Sequence, residues 1–243
     1  MFHGWRMSNL RTFRHEFKYY INYFEYESLR RRLKHVLKRD AFSNEQGEYH
    51  IRSLYFDDVH NSALYQKQAG ILSREKFRIR IYNLSDNLIK LEKKSRIGQF
   101  INKESAILSR VEYDKIIAKD INFLRESHNR LLNEFYFHIK AKKLQPDVIV
   151  DYVREAYISN ISNMRITFDK KLRTGLYNTD IFDKQAPTVD VIEKPLHVLE
   201  IKYDRFLPDH IRNILQLSSN QRYAISKFVI CKKFTKSNNW EDN

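Results

Sequence analysis

The segment Ser73–Tyr82, SREKFRIRIY, sets Lys76, Arg78 and Arg80 in alternation with Phe77, Ile79 and Ile81. Successive side chains of an extended strand point to opposite faces, so one face carries three cations and the other three large apolar groups. The apolar face predicts a packed layer. The cationic face is barred from a dry core, because an unpaired buried charge is strongly destabilising. It must meet water, carboxylates or an anionic ligand. Alone, such a strand reads as an exposed basic edge; repeated on several strands, the pattern reads as a converging site.

It is repeated. In Arg11–Asn22, RTFRHEFKYYIN, residues Arg14, Glu16 and Lys18 share a face, which predicts either cross-strand surface pairing or a site holding metal and anion together. Asn87–Lys94 places Lys90, Glu92 and Lys94 on one face, Phe100–Leu108 carries Lys103, and Val198–Tyr203 sets Glu200 two residues from Lys202. Arg154 in Pro146–Ser159 and Arg165 in Asn163–Asp169 are embedded in otherwise apolar strands. Arg52 sits among Ile51, Leu54, Tyr55 and Phe56 of the strand predicted over Glu48–Asp58. A lone arginine there implies a carboxylate partner or bidentate phosphate binding.

Between the strands the apolar period shifts to that of helices. Phe24–Arg39 has apolar positions at Phe24, Leu29, Leu33, Val36 and Leu37, with its basic residues on a solvated face or on a nucleic-acid or membrane patch. Short helices are predicted over Asn61–Gln68 and Pro208–Leu217, and two helices between Ser109 and Lys143. Arg222–Lys233 closes the fold, with Lys227 just ahead of an apolar run.

A chain of 243 residues with 42% apolar content and five glycines is read as a single domain, 1–243, with its core over about 13–234. A net charge of +14 directs it toward polyanions: nucleic acid, anionic membrane or phosphate-rich metabolites. The lone Cys231 excludes an internal disulfide and a cysteine-based zinc site. No apolar run reaches the ~18 to 20 residues of a membrane span, and the first residues carry no apolar signal core, so the expected location is cytoplasmic.

The expected fold class is α+β: about eight strands, mostly antiparallel, closing into a barrel with flanking helices. Its basic lumen would need counter-charges, and Glu16, Glu92 and Glu200 are hard oxygen ligands suited to Mg²⁺ or Mn²⁺. The remaining cations suit an extended anion such as inorganic polyphosphate or a nucleoside triphosphate.

The segments RHEFKYYI, IRSLYFDD, KFRIRIY, IKLEKKSR, VDYVREAYI, MRITFD, VLEIKY and ISKF occur in order from about Phe13 to Phe234. In this the sequence resembles bacterial VTC domains, polyphosphate polymerase domains of the triphosphate tunnel metalloenzyme (CYTH-like) superfamily. The resemblance implies an eight-stranded tunnel barrel that transfers the γ-phosphate of ATP to a growing polyphosphate chain with Mn²⁺ or Mg²⁺. It implies phosphate binding by Lys18, Arg52, Arg78, Arg80, Lys94, Lys103, Arg154, Arg165 and Lys227, with Lys202 a second choice. Glu200 is the implied metal ligand and Glu16 its second choice, and Lys18, Arg78, Arg80 and Glu200 form the catalytic set. The expected partners are ATP, polyphosphate, and phosphate or pyrophosphate, with no nucleic acid; a membrane-protein partner is a further candidate. The alternatives are a triphosphatase or nucleoside triphosphatase of the same fold, and a non-catalytic binder of polyphosphate or nucleic acid.

Overall fold

The computed structural model describes residues 14–98, 100–192, 196–216 and 222–237. The leader reading of the first residues, the start of the first predicted strand at Arg11 and the end of the predicted helix at Leu217 lie outside them. The chain divides into two compact units. One takes residues 1–48, 155–169 and 195–225; the other takes 49–154, 170–194 and 226–243.

In the first unit, β1 (His15–Ile21) pairs antiparallel with β10 (His197–Tyr203), which pairs with the first half of β8 (Met164–Thr174). The register sets Tyr19 opposite Leu199, Leu199 opposite Phe168, and Ile201 opposite Ile166. That face packs under α1 (Tyr23–Val36), whose Tyr26, Leu29 and Leu33 are buried, and against Ile211 of α6 (Asp209–Ile214). Asn22 starts α1 with a capping box: its side chain accepts from Glu25 N at 2.9 Å while its own N–H donates to the Glu25 carboxylate at 2.9 Å. The helix is shorter than its apolar period predicts. Leu37 turns extended, and β2 (Lys38–Arg39) pairs with Ile158 and Tyr157 of β7 (Gln145–Ser159), so sheet hydrogen bonds replace the last helical turn. The fully buried Glu155 is held there by Tyr26 Oη at 2.8 Å, Tyr157 Oη at 2.6 Å and Arg30 Nε at 3.1 Å, while Arg31 and Arg32 stay exposed.

In the second unit, β3 (Glu48–Asp57), β4 (Ser73–Tyr82), β5 (Ser85–Ile97) and β6 (Phe100–Leu108) form the expected antiparallel meander. α2 (Ser62–Gln68) lies between β3 and β4 in the chain. Phe77, Ile79 and Ile81 enter the core with Leu54, Phe56, Ile89 and Leu91. Helices cover that face, and there are three where two are predicted: α3 (Arg110–Ile117), α4 (Asn122–Glu126) and α5 (Arg130–Lys142). The extra break is made by Asn133, whose amide donates to the carbonyls of Leu124, Arg125 and Ser127, each at 2.9 Å, ending α4 before Asn129 caps α5. α7 (Lys227–Ser237) closes the chain as a helix, with Phe228 and Cys231 buried.

Among the described residues ten strands, including the two-residue β2 and β9 (Val189–Asp190), follow the order β1-β10-β8-β7-β3-β4-β5-β6, with β2 on β7 and β9 on β8. The expected α+β class with a large antiparallel sheet and flanking helices is found. Closure into a barrel is not: among the described residues the order ends at β1 and at β6, with no pairing that joins them. No described helix is long and apolar enough to cross a membrane.

Candidate functional site

Opposed residues on antiparallel strands share a face, and in the second unit this collects one cation-rich surface. Ser53 and Tyr55 of β3 oppose Arg80 and Arg78 of β4; Lys76, Arg78 and Arg80 oppose Lys94, Glu92 and Lys90 of β5; Lys103 and Ser105 of β6 oppose Lys94 and Glu92. The buried carboxylate of Glu92 is the hub. It accepts from Arg78 Nε at 2.6 Å, lies 3.7 Å from Arg80 Nη1 and is paired with Lys103 Nζ. Burial alone would raise its pKa, but Arg78, Arg80 and Lys103 draw it well below the usual carboxylate range. Burial likewise opposes the charge on Arg78, yet Tyr55 and Glu92 hold its pKa above the ordinary value. Lys103 is lowered by burial and by the two arginines, against the pull of Glu92. Tyrosines complete the frame: Arg78 donates to Tyr55 Oη at 2.7 Å and Arg80 to Tyr152 Oη at 3.3 Å, and Arg80 also reaches Ser53 Oγ at 3.1 Å. Arg154 and Lys227 flank the Tyr152 ring, 5.3 and 5.0 Å from its centroid.

Five of the sequence-predicted residues, Arg78, Arg80, Lys103, Arg154 and Lys227, are thus linked through Glu92 and Tyr152. Lys94 joins the same face by register and is exposed. Its neighbour Lys93 points the other way, into a cluster with Glu75 and Glu134. Glu75, Glu134 and His138 place ligand atoms within 4.8 Å of one another, with Lys93 paired to both carboxylates and Lys142 to Glu75.

Arg52 is a correction. It opposes Ile81, on the core face and away from Arg78 and Arg80. Its side chain is buried, with Nε 2.8 Å from Asp151 and Nη1 2.6 Å from the Asp183 carbonyl, so the carboxylate-partner reading holds, on the face opposite Arg78 and Arg80. Asp151, fully buried, also takes His50 Nε2 at 2.8 Å and Arg173 Nε at 3.0 Å. Burial alone would raise its carboxyl, but His50, Arg52 and Arg173 hold it down to about 2 from an ordinary 3.8. The folded-state value lies below the unfolded one, so its stabilising effect is complete above about pH 4 and is lost as pH falls toward about 2. In urea unfolding, the gap between the wild type and Asp151→Asn should be level from pH 6 down to about pH 4 and narrow below it, as pH falls toward about 2. A gap that stays constant below about pH 4 would contradict the assignment.

The first unit gathers the others. Register puts Glu16 opposite Lys202, Lys18 opposite Glu200, Glu200 opposite Thr167 and Lys202 opposite Arg165, all on the face away from α1. Lys18 Nζ bridges Glu16 Oε1 at 2.8 Å and Glu200 Oε1 at 3.4 Å, and Lys202 Nζ lies 3.2 Å from Glu200. Burial works against the charge on Lys18, but Glu200 and Glu16 raise its pKa above the ordinary value. Arg165 is turned to Asp40, donating at 2.6 Å. The buried Thr167 hydroxyl, beside Glu200 in register, has no hydrogen-bond partner among the described residues. Two carboxylates and an unsatisfied hydroxyl on one face are oxygen donors of the kind a hard divalent cation takes, so these residues fit Mg²⁺ or Mn²⁺.

Sequence reading passed over Glu92 as a hub, Tyr55 and Tyr152 as partners of the arginines, and Thr167. The two-residue parity of IKLEKK already aligned Glu92 with Lys90 and Lys94. Tyr55 and Tyr152 carried no such signal, because aromatics on strands read as core until the pairing register is known.

The antiparallel sheet of this α+β fold thus gathers arginines and a lysine around Glu92 in the second unit and lysines around Glu16 and Glu200 in the first. The family model of the VTC domain matches residues 13–236, and the chain belongs to the VTC domain family. No protein of curated function matches it. Among solved structures it is similar to the PH1819 protein of Pyrococcus horikoshii OT3, at 11% identity and a TM-score of 0.48, covering 91% of this chain and 99% of that one. It is also similar to the PH1012 protein of the same organism, at 14% identity and a TM-score of 0.41, covering 83% of this chain and 85% of that one.

Proposed function

We propose that this chain is a metal-dependent phosphotransferase that moves the γ-phosphoryl group of ATP onto inorganic polyphosphate. The observation that carries the reading is the grouping of Arg78, Arg80 and Lys103 around Glu92, with Arg154 and Lys227 beside Tyr152. Arginine forks suit bidentate binding of phosphate oxygens, and no nucleophile such as a serine–histidine or cysteine–histidine pair stands among them. In the proposed step a terminal oxygen of the acceptor phosphate attacks the γ-phosphorus in line. The new P–O bond forms as the bond to the β–γ bridging oxygen breaks, and that oxygen leaves on ADP with the electron pair. Arg78 and Arg80 hold the equatorial oxygens as charge shifts, and Lys94, Lys103, Arg154 and Lys227 orient the chain. No protein side chain becomes phosphorylated.

Glu200, with Glu16 as its companion, would hold the divalent ion, whose contribution when bound is to neutralise phosphate charge. In the described structure the ammonium groups of Lys18 and Lys202 sit on these carboxylates. The carboxylates would exchange those partners for the ion, and the freed ammonium groups would turn to phosphate, as would Arg165 on release from Asp40. A cytoplasmic location is part of the same reading, since ATP is the donor.

Incubation with ATP and Mn²⁺ should give a ladder of polyphosphate on a gel; free phosphate alone would identify a hydrolase and overturn the transfer step. Glu200→Gln should remove metal-dependent turnover by about 10²-fold or more, the scale of a lost transition-state charge interaction, while tripolyphosphate binding measured by calorimetry without metal stays within about threefold. Full activity in Glu200→Gln would withdraw the metal assignment.

A further inference from the structure

The end of the β4–β5–β6 meander away from Arg80 has a different chemistry. Arg74 opposes Arg96 across β4 and β5, and Arg96 opposes Ile101 on β6, so two guanidinium groups and an isoleucine share one face. Like charges directly opposed on neighbouring strands repel, and no described carboxylate pairs with either arginine. Each instead donates to a backbone carbonyl at the strand ends, Arg74 to Ile71 and Arg96 to Gly98 at 2.8 Å. Burial and then the neighbouring Arg96 lower the pKa of Arg74, consistent with a pair that lacks a counter-anion.

Around and beyond the arginines the described residues place apolar side chains on both faces. Ile101 lies on the arginine face; Ile97 and Phe100, opposed to each other, lie on the reverse; Leu72 accepts from Gly98 N at the margin. Leu72 and Ile97 are each 67% exposed, and Phe100 and Ile101 about half exposed. A patch that binds a folded partner would present one face. Described apolar side chains on both sides suit immersion, with the cations level with Ile101 and one residue, roughly 3 Å along the strand, behind Ile97 and Phe100, at the level of phosphate headgroups. A second copy of the chain would bring the same uncompensated arginines and a net charge of +14 with it.

We infer that this strand end is a docking tip for an anionic bilayer surface, with Leu72, Ile97, Phe100 and Ile101 entering the headgroup region and Arg74 and Arg96 binding lipid phosphates. The inference is independent of the phosphotransferase reading.

Flotation with phosphatidylcholine vesicles, with and without phosphatidylglycerol, tests it on the whole chain. The wild type should float with the phosphatidylglycerol vesicles and not with phosphatidylcholine alone. Arg74→Glu with Arg96→Glu should weaken binding by at least about tenfold, given the attraction of each basic residue to an anionic surface. Ile97→Asp with Ile101→Asp should weaken it to a similar degree. Arg31→Glu with Arg32→Glu, which changes net charge equally on the exposed face of α1, should bind like the wild type. Because the aspartate pair could disturb folding, Ile97→Cys carrying an environment-sensitive dye gives a second readout, with blue-shifted emission expected only on anionic vesicles. The proposal is overturned by absence of binding, by equal losses in the two arginine-pair variants, or by an unshifted dye. It is equally overturned if Arg74→Glu with Arg96→Glu releases soluble polyphosphate yet leaves vesicle binding intact.

Discussion

Asp151→Ala should lower the stability of the fold by about 3 to 5 kcal/mol, the range for removing one partner of a buried ion pair. At about 2 to 4 °C per kcal/mol for a chain of this size, the thermal midpoint should drop by roughly 10 °C. The size of the effect follows from what remains behind. Asp151 is fully buried and receives Arg52, Arg173 and His50. Without it the Arg52 guanidinium stays inside the protein with, among the described residues, only the Ile181 and Asp183 carbonyls for acceptors. Truncation also opens a void between those three side chains. Asp151→Asn keeps the volume and one acceptor and should fall between the two. The measurement is urea or thermal unfolding at neutral pH, and a loss under about 1 kcal/mol for Asp151→Ala would show that Arg52 is held by the carbonyls alone.

The second large effect concerns Arg80. On the proposed phosphotransferase reading, Arg80→Ala should reduce kcat/KM for ATP by about 10² to 10³-fold, as for other single donors to developing charge. Its effect on stability should be much smaller, because Glu92 retains Arg78 at 2.6 Å and the Lys103 ammonium. Arg80→Lys restores charge without the planar fork and should recover only part of the activity. Steady-state kinetics set beside unfolding curves separate the two outcomes: an activity loss that merely follows the loss of folded protein would reduce Arg80 to a structural role.

Much of this arrangement was legible in the sequence wherever an alternating pattern met a packed layer. Phe77, Ile79 and Ile81 had to be buried, and that fixed Arg78 and Arg80 on the opposite side and β4 at its observed bounds. Parity within β5 likewise distinguished Lys94 from Lys93. What pattern cannot supply is register. Arg52 looked like an arginine of the same set, yet its position opposite Ile81 puts it with the core, where Asp151, ninety-nine residues on, receives it. The break between α4 and α5 depended on one amide, that of Asn133, which closes the α4 carbonyls and carries no periodic signature. The overshoot of α1 has the same origin, since hydrogen bonds to β7 claim Lys38 and Arg39 from a run that reads as helical.

The position of Glu92 sets the terms on which any anion meets the β4–β5–β6 face. Three basic groups already share that carboxylate, so an incoming phosphate competes with a resident ligand and cannot simply add to bare charge. On the proposed phosphotransferase reading, grip would be weakened in proportion, and the dependence of binding on salt would be shallower than the number of arginines and lysines would suggest. A surface that held polyphosphate loosely would let it slide, and sliding is what a long, repetitive molecule requires if successive units are to occupy the same few side chains.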